Sequence, residues 1–146
     1  MRSLLTMLWI IIAGALAGCS GGGSSAEGVV GVKTDDTEMA DAVQKAKNSI
    51  DGFVARFEKK DGDGFVIKFS VAAGKEKEFL WARVKTVTND TFVVEVADTP
   101  VKSNSVKKNQ ILSLARSDVV DWAILKGKTI EGAYTDEVVK KHSKRR

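Results

Sequence analysis

The stretch EKKDGDGFVIKFSV, residues 58–71, sets the class of the fold because the spacing of apolar residues changes inside it. Before Asp61, apolar residues recur every three or four positions, which is the period of an amphipathic α-helix. After Gly64 they recur at every second position, which is the period of a β-strand. The glycines and aspartates between the two patterns predict a turn. The sequence therefore predicts an α+β protein.

A long amphipathic helix is predicted on the N-terminal side of this turn, from Glu38 to Lys60. Its apolar stripe consists of Met39, Ala42, Val43, Ala46, Ile50, Phe53, Val54 and Phe57. Asp35 and Glu38 have the spacing of a capping box, which satisfies backbone N–H groups in the first turn. Gly52 is the weak point of the helix, at a cost of up to about 1 kcal/mol relative to Ala.

Short strands separated by turn residues are predicted on the C-terminal side. They span residues 65–71, 78–87, 91–97, 111–115, 119–125 and 129–134. On the second strand, Leu80, Ala82 and Val84 share one face, and Trp81 lies on the other. Thr135 is expected to cap a last helical turn. The prediction is one domain, residues 35–139, with a long N-terminal helix packed on an antiparallel sheet of five to six strands and a short C-terminal helix.

The N-terminal segment resembles a bacterial lipoprotein signal. One basic residue, Arg2, precedes an apolar run of about 14 residues, which is too short to cross a bilayer as a helix. The run ends in Leu16-Ala17-Gly18-Cys19, which resembles a lipobox and contains the only cysteine. The resemblance implies a signal peptide at residues 1–18, cleavage before Cys19, and lipid on its thiol and new amino group. The alternative is an uncleaved anchor with a chance cysteine.

The residues after Cys19 predict a short tether to a membrane. The run Ser20 to Ser25 contains only glycine and serine, a composition typical of flexible linkers, and the tether is expected to span residues 19–34. Ser20 is not the aspartate that commonly retains lipoproteins at the inner membrane. An outer-membrane, periplasm-facing location is therefore favoured.

The C-terminal end, residues 140–146, is a basic tail. Five of its seven residues are Lys or Arg, so the formal net charge of +4 comes largely from this tail. The charge therefore does not indicate a nucleic-acid-binding face, and no nucleic-acid partner is expected. Two interpretations remain open: a frayed, solvated end, or a segment that touches anionic lipid.

An ordered set of residues resembles the bacterial YegJ-like family, domain of unknown function 2314. The set comprises Asp35-Asp36-x-Glu38-Met39, Glu78-x-x-Trp81, Pro100, Asp121-Trp122 and Gly132-x-Tyr134-Thr135. It covers about residues 35–139. The chain departs from the family near Glu95 and Asn109-Gln110, where the family tends to have a glycine and a Gly-Asp pair. The resemblance implies a fold and an envelope location but no activity.

Residues for catalysis or cofactor binding are scarce. The only histidine, His142, is in the basic tail, and the only cysteine is expected to be acylated. Neither a triad nor a zinc site can be built from them, and no metal or other cofactor is expected. Asp61-Gly62-Asp63-Gly64 lacks the ligand spacing of a calcium loop and is interpreted as a turn.

Two carboxylate pairs are the remaining candidates for acid–base chemistry. Glu76 and Glu78 lie beside lysines, which is typical of a solvated hairpin end. Asp118 and Asp121 flank the start of a predicted strand, and a turn or a hydrogen bond to the backbone is the simpler role for Asp121. Two carboxyls catalyse together only where their surroundings separate their pKa values.

Trp81, Trp122 and Tyr134 are the predicted binding surface, because indole and phenol rings that lie off the core are typical of interface contacts. The main hypothesis is a membrane-tethered, non-catalytic module that binds a protein, peptide or glycan. The alternatives are a carboxylate-dependent envelope hydrolase and a structural envelope protein without a discrete ligand. Packing of the three rings is the competing interpretation of the site.

Overall fold

The computed structural model describes residues 37–144. The predicted signal peptide, Cys19, the tether and Asp35 lie outside the described residues. The elements are α1 (Thr37–Glu58), β1 (Gly64–Ala73), β2 (Glu76–Val87), β3 (Thr91–Val96), β4 (Ile111–Ala115), a 3₁₀ turn (Arg116–Asp118), β5 (Val119–Lys126), β6 (Thr129–Gly132) and α2 (Tyr134–Ser143).

The six strands form one antiparallel sheet in the order β4-β3-β2-β1-β5-β6. The first four strands follow one another as a meander, and β5 then pairs with the free side of β1. This arrangement confirms the predicted α+β fold with its N-terminal helix, antiparallel sheet and C-terminal helix.

The hydrophobic core lies between α1 and one face of the sheet. From α1 it receives Ala46, Ile50 and Phe53, and Phe53 is fully buried. From the sheet it receives residues that alternate along each strand except at the register shift in β5, namely Ile67, Phe69, Leu80, Ala82, Val84, Phe92, Val94, Val96, Val119, Trp122 and Ile124. The apolar residues of the helical pattern and those of the strand pattern thus pack together in a single core.

The sheet is strongly curled, as its connectivity requires. Only the turn Arg116–Asp118 links the edge strand β4 to β5, which lies four positions away in the sheet. In a flat sheet those strands would be about 19 Å apart, whereas Ala115 and Val119 can be at most about 14 Å apart along the chain. Register irregularities in the β1–β5 and β2–β3 pairings accompany this curl, as bulges increase strand twist.

The C-terminal end differs from the prediction. The last strand ends at Gly132 rather than Tyr134, because Gly132 and Ala133 have positive φ angles of 85° and 54° and turn the chain out of the sheet. The prediction that Thr135 caps the helix was wrong, since Thr135 lies inside α2 and no side chain of the preceding residue caps it. The helix also continues past residue 139 and includes the first four residues of the predicted basic tail.

Within the described residues, no helix is both long enough and apolar enough to cross a membrane.

Candidate binding surface

Trp81 lies on the sheet face opposite the core, as the alternation in β2 predicts. Its neighbours Leu80 and Ala82 are buried in the core, whereas Trp81 is half-buried. The backbone N–H of Trp81 donates to Asp98 Oδ2 at 2.8 Å, and its carbonyl accepts the N–H of Ala97 at 2.9 Å. Strand pairing and the loop after β3, which contains Ala97 and Asp98, therefore fix the position of the indole.

Lys68 places its ammonium over this indole. Lys68 pairs with Trp81 across β1 and β2, and Lys68 Nζ lies 4.7 Å from the centre of the indole ring. The residue is 9% exposed. Its ammonium donates to Thr135 Oγ1 at 2.9 Å and to the Asp136 carboxylate. Lys68 was not predicted to belong to the site, because a lysine in an alternating strand is typical of a solvent-facing position.

Phe79 extends the aromatic area along the same strand. It lies two residues before Trp81, so it projects from the same face, and it is 42% exposed. Ser70 of β1 is its cross-strand partner. We call Phe79, Trp81, Lys68 and Ser70 the Trp81 face. Large aromatic side chains that remain exposed on a sheet are typical of contact surfaces.

Trp122 does not contribute to an exposed surface. It is 3% exposed and packs on Phe53, with ring centres 5.4 Å apart. Its indole N–H lies 3.1 Å from the Ala46 carbonyl and 3.2 Å from Ser49 Oγ, both on α1. The prediction that Trp122 belongs to a binding surface is therefore corrected. The physical reason is a bulge in β5. Lys68 pairs with Asp121 and Phe69 with Val119, so one extra residue in β5 turns Trp122 towards the core.

Tyr134 stays with Trp122 and away from Trp81. Its ring meets the Trp122 ring edge-on with centres 5.6 Å apart, and Lys45 Nζ lies 4.5 Å from the centre of the Tyr134 ring. Tyr134 is half-buried, at the start of the helix that contacts α1 and β5. The structure therefore brings together two of the three predicted residues, and it places Trp81 on the other side of the sheet.

Asp121 is a fully buried carboxylate that holds the start of α2. Its Oδ1 accepts the N–H groups of Trp122 at 2.8 Å and Tyr134 at 3.3 Å. Its Oδ2 accepts the N–H of Thr135 at 2.8 Å and the hydroxyl of Thr135 at 2.6 Å. This confirms the simpler role predicted for Asp121, a hydrogen bond to the backbone. The partial positive charge at the N-terminal end of α2 also stabilises the negatively charged carboxylate.

Glu78 holds the loop between β3 and β4. Its carboxylate accepts the backbone N–H groups of Val101 at 2.7 Å, Lys102 at 3.1 Å and Ser103 at 2.7 Å. The hydrogen bond from Val101, then those from Ser103 and Lys102, hold the pKa of Glu78 below its ordinary value. Glu76 and Glu78 were both predicted to lie at a solvated hairpin end, and of the two Glu76 does so. It is exposed, and its Oε2 lies 2.9 Å from Lys102 Nζ.

The acidic residues of the turn after α1 have structural contacts. Asp61 pairs with Arg56 at 3.0 Å and with Lys126 at 2.5 Å, and Asp63 accepts the N–H of Gly127 at 2.6 Å. These contacts fit the predicted turn. Between residues 37 and 144, no cluster of His, Cys, Asp and Glu is suited to a metal ion.

Comparisons with known proteins identify a matching family and a curated relative. Residues 36–145 match the model of the family described as "Uncharacterized protein conserved in bacteria (DUF2314)". "Uncharacterized protein YegJ" of Escherichia coli (strain K12) is 29% identical over 101 residues, which cover 69% of this chain and 66% of the relative. The chain thus spans just under two thirds of the length of that curated relative. No solved structure matches the chain.

Proposed function

The chain belongs to the DUF2314 family of conserved bacterial proteins, and from that premise we propose that it is a lipid-anchored envelope protein whose domain is a non-catalytic binding module. The anchor is Cys19, and the periplasmic side of the outer membrane is the proposed location. Phe79, which is exposed, and Trp81, which is half-buried, carry the binding part of this proposal, with a protein, peptide or glycan as the partner.

Support for the anchor comes from the sequence. A short apolar run ends in Leu16-Ala17-Gly18-Cys19 and is followed by a Gly/Ser-rich segment. The resemblance to a lipobox implies a diacylglycerol on the thiol and a third acyl chain on the amino group. Three such chains hold a protein on a membrane effectively permanently, because each buried CH₂ contributes about 0.8 kcal/mol.

Support for binding comes from the two rings on the outer face of β2. Phe79 is 42% exposed, and Trp81 is partly open to solvent. Aromatic side chains in such positions supply much of the energy of protein contacts. The Lys68 ammonium over the indole is held by Thr135 and Asp136 and fixes the position of the Trp81 ring.

Support for a non-catalytic role comes from the carboxylates. A general base needs an oxygen within reach of a substrate proton. Both oxygens of Asp121 already accept hydrogen bonds inside the fold, and both oxygens of Glu78 accept loop amides. These two groups stabilise α2 and a loop.

The anchor is tested with Cys19→Ser in the producing bacterium. Wild-type protein should incorporate a labelled fatty acid and fractionate with membranes, and the variant should lose the label and accumulate as an unprocessed or soluble form. Ser20→Ala is the matched control and should keep the label. Absence of the label from the wild type would rule out the anchor.

The Trp81 face is tested by crosslinking in the same cells. A photoreactive amino acid at position 79 should give discrete adducts, and the same amino acid at position 55 should not, because Ala55 is exposed on α1, which covers the opposite face of the sheet. Trp81→Ala should remove the adducts and weaken partner binding by about 2 kcal/mol or more. Equal adducts at both positions, or adducts insensitive to Trp81→Ala, would contradict the proposal.

A further inference from the structure

Strand β4 is one edge of the sheet, and among the described strands it pairs only with β3. At the two ends of this pairing, the Val96 N–H donates to the Gln110 carbonyl at 2.9 Å and the Arg116 N–H donates to the Asp90 carbonyl at 2.8 Å. Antiparallel ladders alternate hydrogen-bonded with non-hydrogen-bonded pairs. The even-numbered residues of β4 therefore bond to β3, and the N–H and C=O groups of the odd-numbered residues point away from the sheet.

The odd-numbered residues Ile111, Ser113 and Ala115 form what we call the free edge. Their side chains are exposed, and Ile111 is 56% exposed. The two leucines between them, Leu112 and Leu114, pack against the core but are only partly buried. The free edge therefore leaves both backbone hydrogen-bonding groups and apolar surface open to a further strand.

The free edge lacks the features that usually prevent strand addition. Exposed edge strands usually contain a charged residue, a proline or a bulge. The sequence of β4 is ILSLA, without charge or proline, and its pairing with β3 runs without a register shift. At the opposite edge of the sheet, β6 has four residues and contains Glu131, which pairs with Arg56. Of the two edges, that of β4 is the unprotected one.

The sequence of β4 is complementary to itself in an antiparallel arrangement centred on Ser113. In this register Ser113 faces Ser113 of a second copy, and the large Ile111 faces the small Ala115. The odd-numbered residues are then the hydrogen-bonded pairs, and their backbone groups are the ones that β3 leaves free. On the core side, Leu112 of one copy faces Leu114 of the other, so each covers the apolar surface that the edge position leaves open.

Charges at the two ends of β4 suit the same arrangement. Lys107 and Lys108 precede the strand, Asp118 follows it, and all three are exposed. Arg116, which also follows the strand, pairs with Asp51 of α1. Antiparallel pairing brings the residues before β4 of one copy towards the residues after β4 of the other. Basic and acidic side chains therefore approach each other at both ends of the paired strands.

From these observations we infer that the free edge binds a second copy of this chain, so that the two sheets join into one continuous antiparallel sheet. The two-fold axis passes between the two Ser113 residues and is perpendicular to the sheet. Each face of one sheet then continues into the same face of the other. Both Trp81 faces consequently point to the same side, and the dimer presents two copies of the proposed binding surface. The pairing itself depends on β4 and not on that binding activity.

The test uses two full-length copies with different C-terminal affinity tags, produced in the same cells, solubilised in detergent and captured through one tag. Wild-type copies should capture each other. Ser113→Lys in both copies should abolish capture, because like charges then lie directly opposite each other, and Ser113→Glu in both copies should do the same. A Ser113→Lys copy should capture a Ser113→Glu copy, since opposite charges then meet across the two-fold axis.

Ile130→Lys in both copies is the matched control and should preserve capture, because Ile130 is 62% exposed on the opposite edge strand β6. Circular dichroism should show that the Ser113→Lys protein is folded, since Ser113 is exposed. Undiminished capture between Ser113→Lys copies, or no capture between Lys and Glu copies, overturns the inference. Wild-type copies that fail to capture each other, while a photoreactive amino acid at position 113 forms adducts with a different protein, assign the free edge to another partner and overturn it as well.

Discussion

Gly132 is a residue on which the turn from β6 into α2 depends. Its φ angle of 85° is in the left-handed region, which favours glycine. A Cβ atom at this position would lie 2.3 Å from the Trp122 carbonyl oxygen and 2.7 Å from Trp122 Cε3. The Trp122 ring therefore packs directly on the backbone, and the chain can turn from β6 into α2 at this point. Gly132 belongs to the residues that carry the family resemblance, and its role is structural.

Gly132→Ala is expected to destabilise the protein by about 2–4 kcal/mol, because it combines a left-handed backbone with a clash inside a packed core. Gly52→Ala is the control. Gly52 lies inside α1, and a Cβ atom there would have no heavy atom within 4 Å, so this change should stabilise the helix by about 0.5–1 kcal/mol. Urea denaturation followed by circular dichroism measures both. Equal effects of the two substitutions would contradict the packing described for Gly132.

At the level of secondary-structure elements, buried or loop-facing carboxylates connect parts that backbone pairing alone leaves free. Asp121 of β5 holds the first turn of α2, and Glu78 of β2 holds the loop after β3. A carboxylate bonded to backbone N–H groups forms strong, charge-assisted hydrogen bonds. These two residues therefore fix the elements on either side of the Trp81 face.

Asp121→Asn should weaken the attachment of α2 and lower the free energy of unfolding by about 1.5–3 kcal/mol, since an amide provides one acceptor oxygen where the carboxylate provides two. Amide hydrogen exchange should accelerate first in Tyr134–Ser143. The control is Asp118→Asn, because Asp118 is exposed in the 3₁₀ turn. Unchanged exchange in α2 would argue against the capping role of Asp121.

Glu78 should make the stability of the protein depend on pH. Its pKa is lowered in the folded state by the N–H groups of Val101, Ser103 and Lys102, so ionised Glu78 stabilises the fold above its ordinary pKa of 4.5. That contribution is lost as the pH falls below 4.5 and through the folded-state pKa.

Glu78→Gln should accordingly be less stable than the wild type at pH 7, and the difference should shrink as the solution is acidified below the ordinary pKa of the carboxyl. Thermal unfolding across this pH range measures the difference. Glu58→Gln, at the exposed end of α1, controls for the loss of one charge. A difference that grows towards acid pH would refute the assignment.

For the molecule as a whole, one core joins α1 to a curled sheet. Phe53 is at its centre, with ring centres 5.8 Å from Phe65, 6.3 Å from Phe92 and 5.4 Å from Trp122. These partners come from β1, β3 and β5, so a single side chain contacts strands across most of the sheet. The short link between β4 and β5 fits only this curled arrangement.

Phe53→Ala should cost about 3–5 kcal/mol, because it leaves a cavity among rings from three strands. Phe57→Ala is the comparison. Phe57 is only partly buried and packs on Phe65, so its truncation should cost less. Chemical denaturation of both variants gives the two values. If truncation of Phe53 cost under about 1 kcal/mol, the helix stripe could not form the core.

The helix, the strands and the outward position of Trp81 follow from the sequence because they depend on local information. Periodicity and turn residues act over a few positions, and they predict α1 and β1–β5 close to their observed bounds. The prediction of the candidate surface was correct for the position of Trp81 and wrong for that of Trp122, because it also used local alternation alone. Alternation in β2 is regular, so it predicts the side of Trp81 correctly, whereas the bulge in β5 reverses the side of Trp122.

The strand order, the length of α2, the burial of Lys68 and the closeness of the two helix ends emerge only from the packed molecule. Each depends on contacts between residues far apart in the sequence, such as Lys68 with Thr135, 67 positions away, and Lys141 with Glu38, 103 positions away. The sequence supplies the donors, acceptors and apolar faces. Which of them meet is decided by the pairing of β5 with β1 and by the curl of the sheet, because those long-range contacts form only when the whole core is assembled.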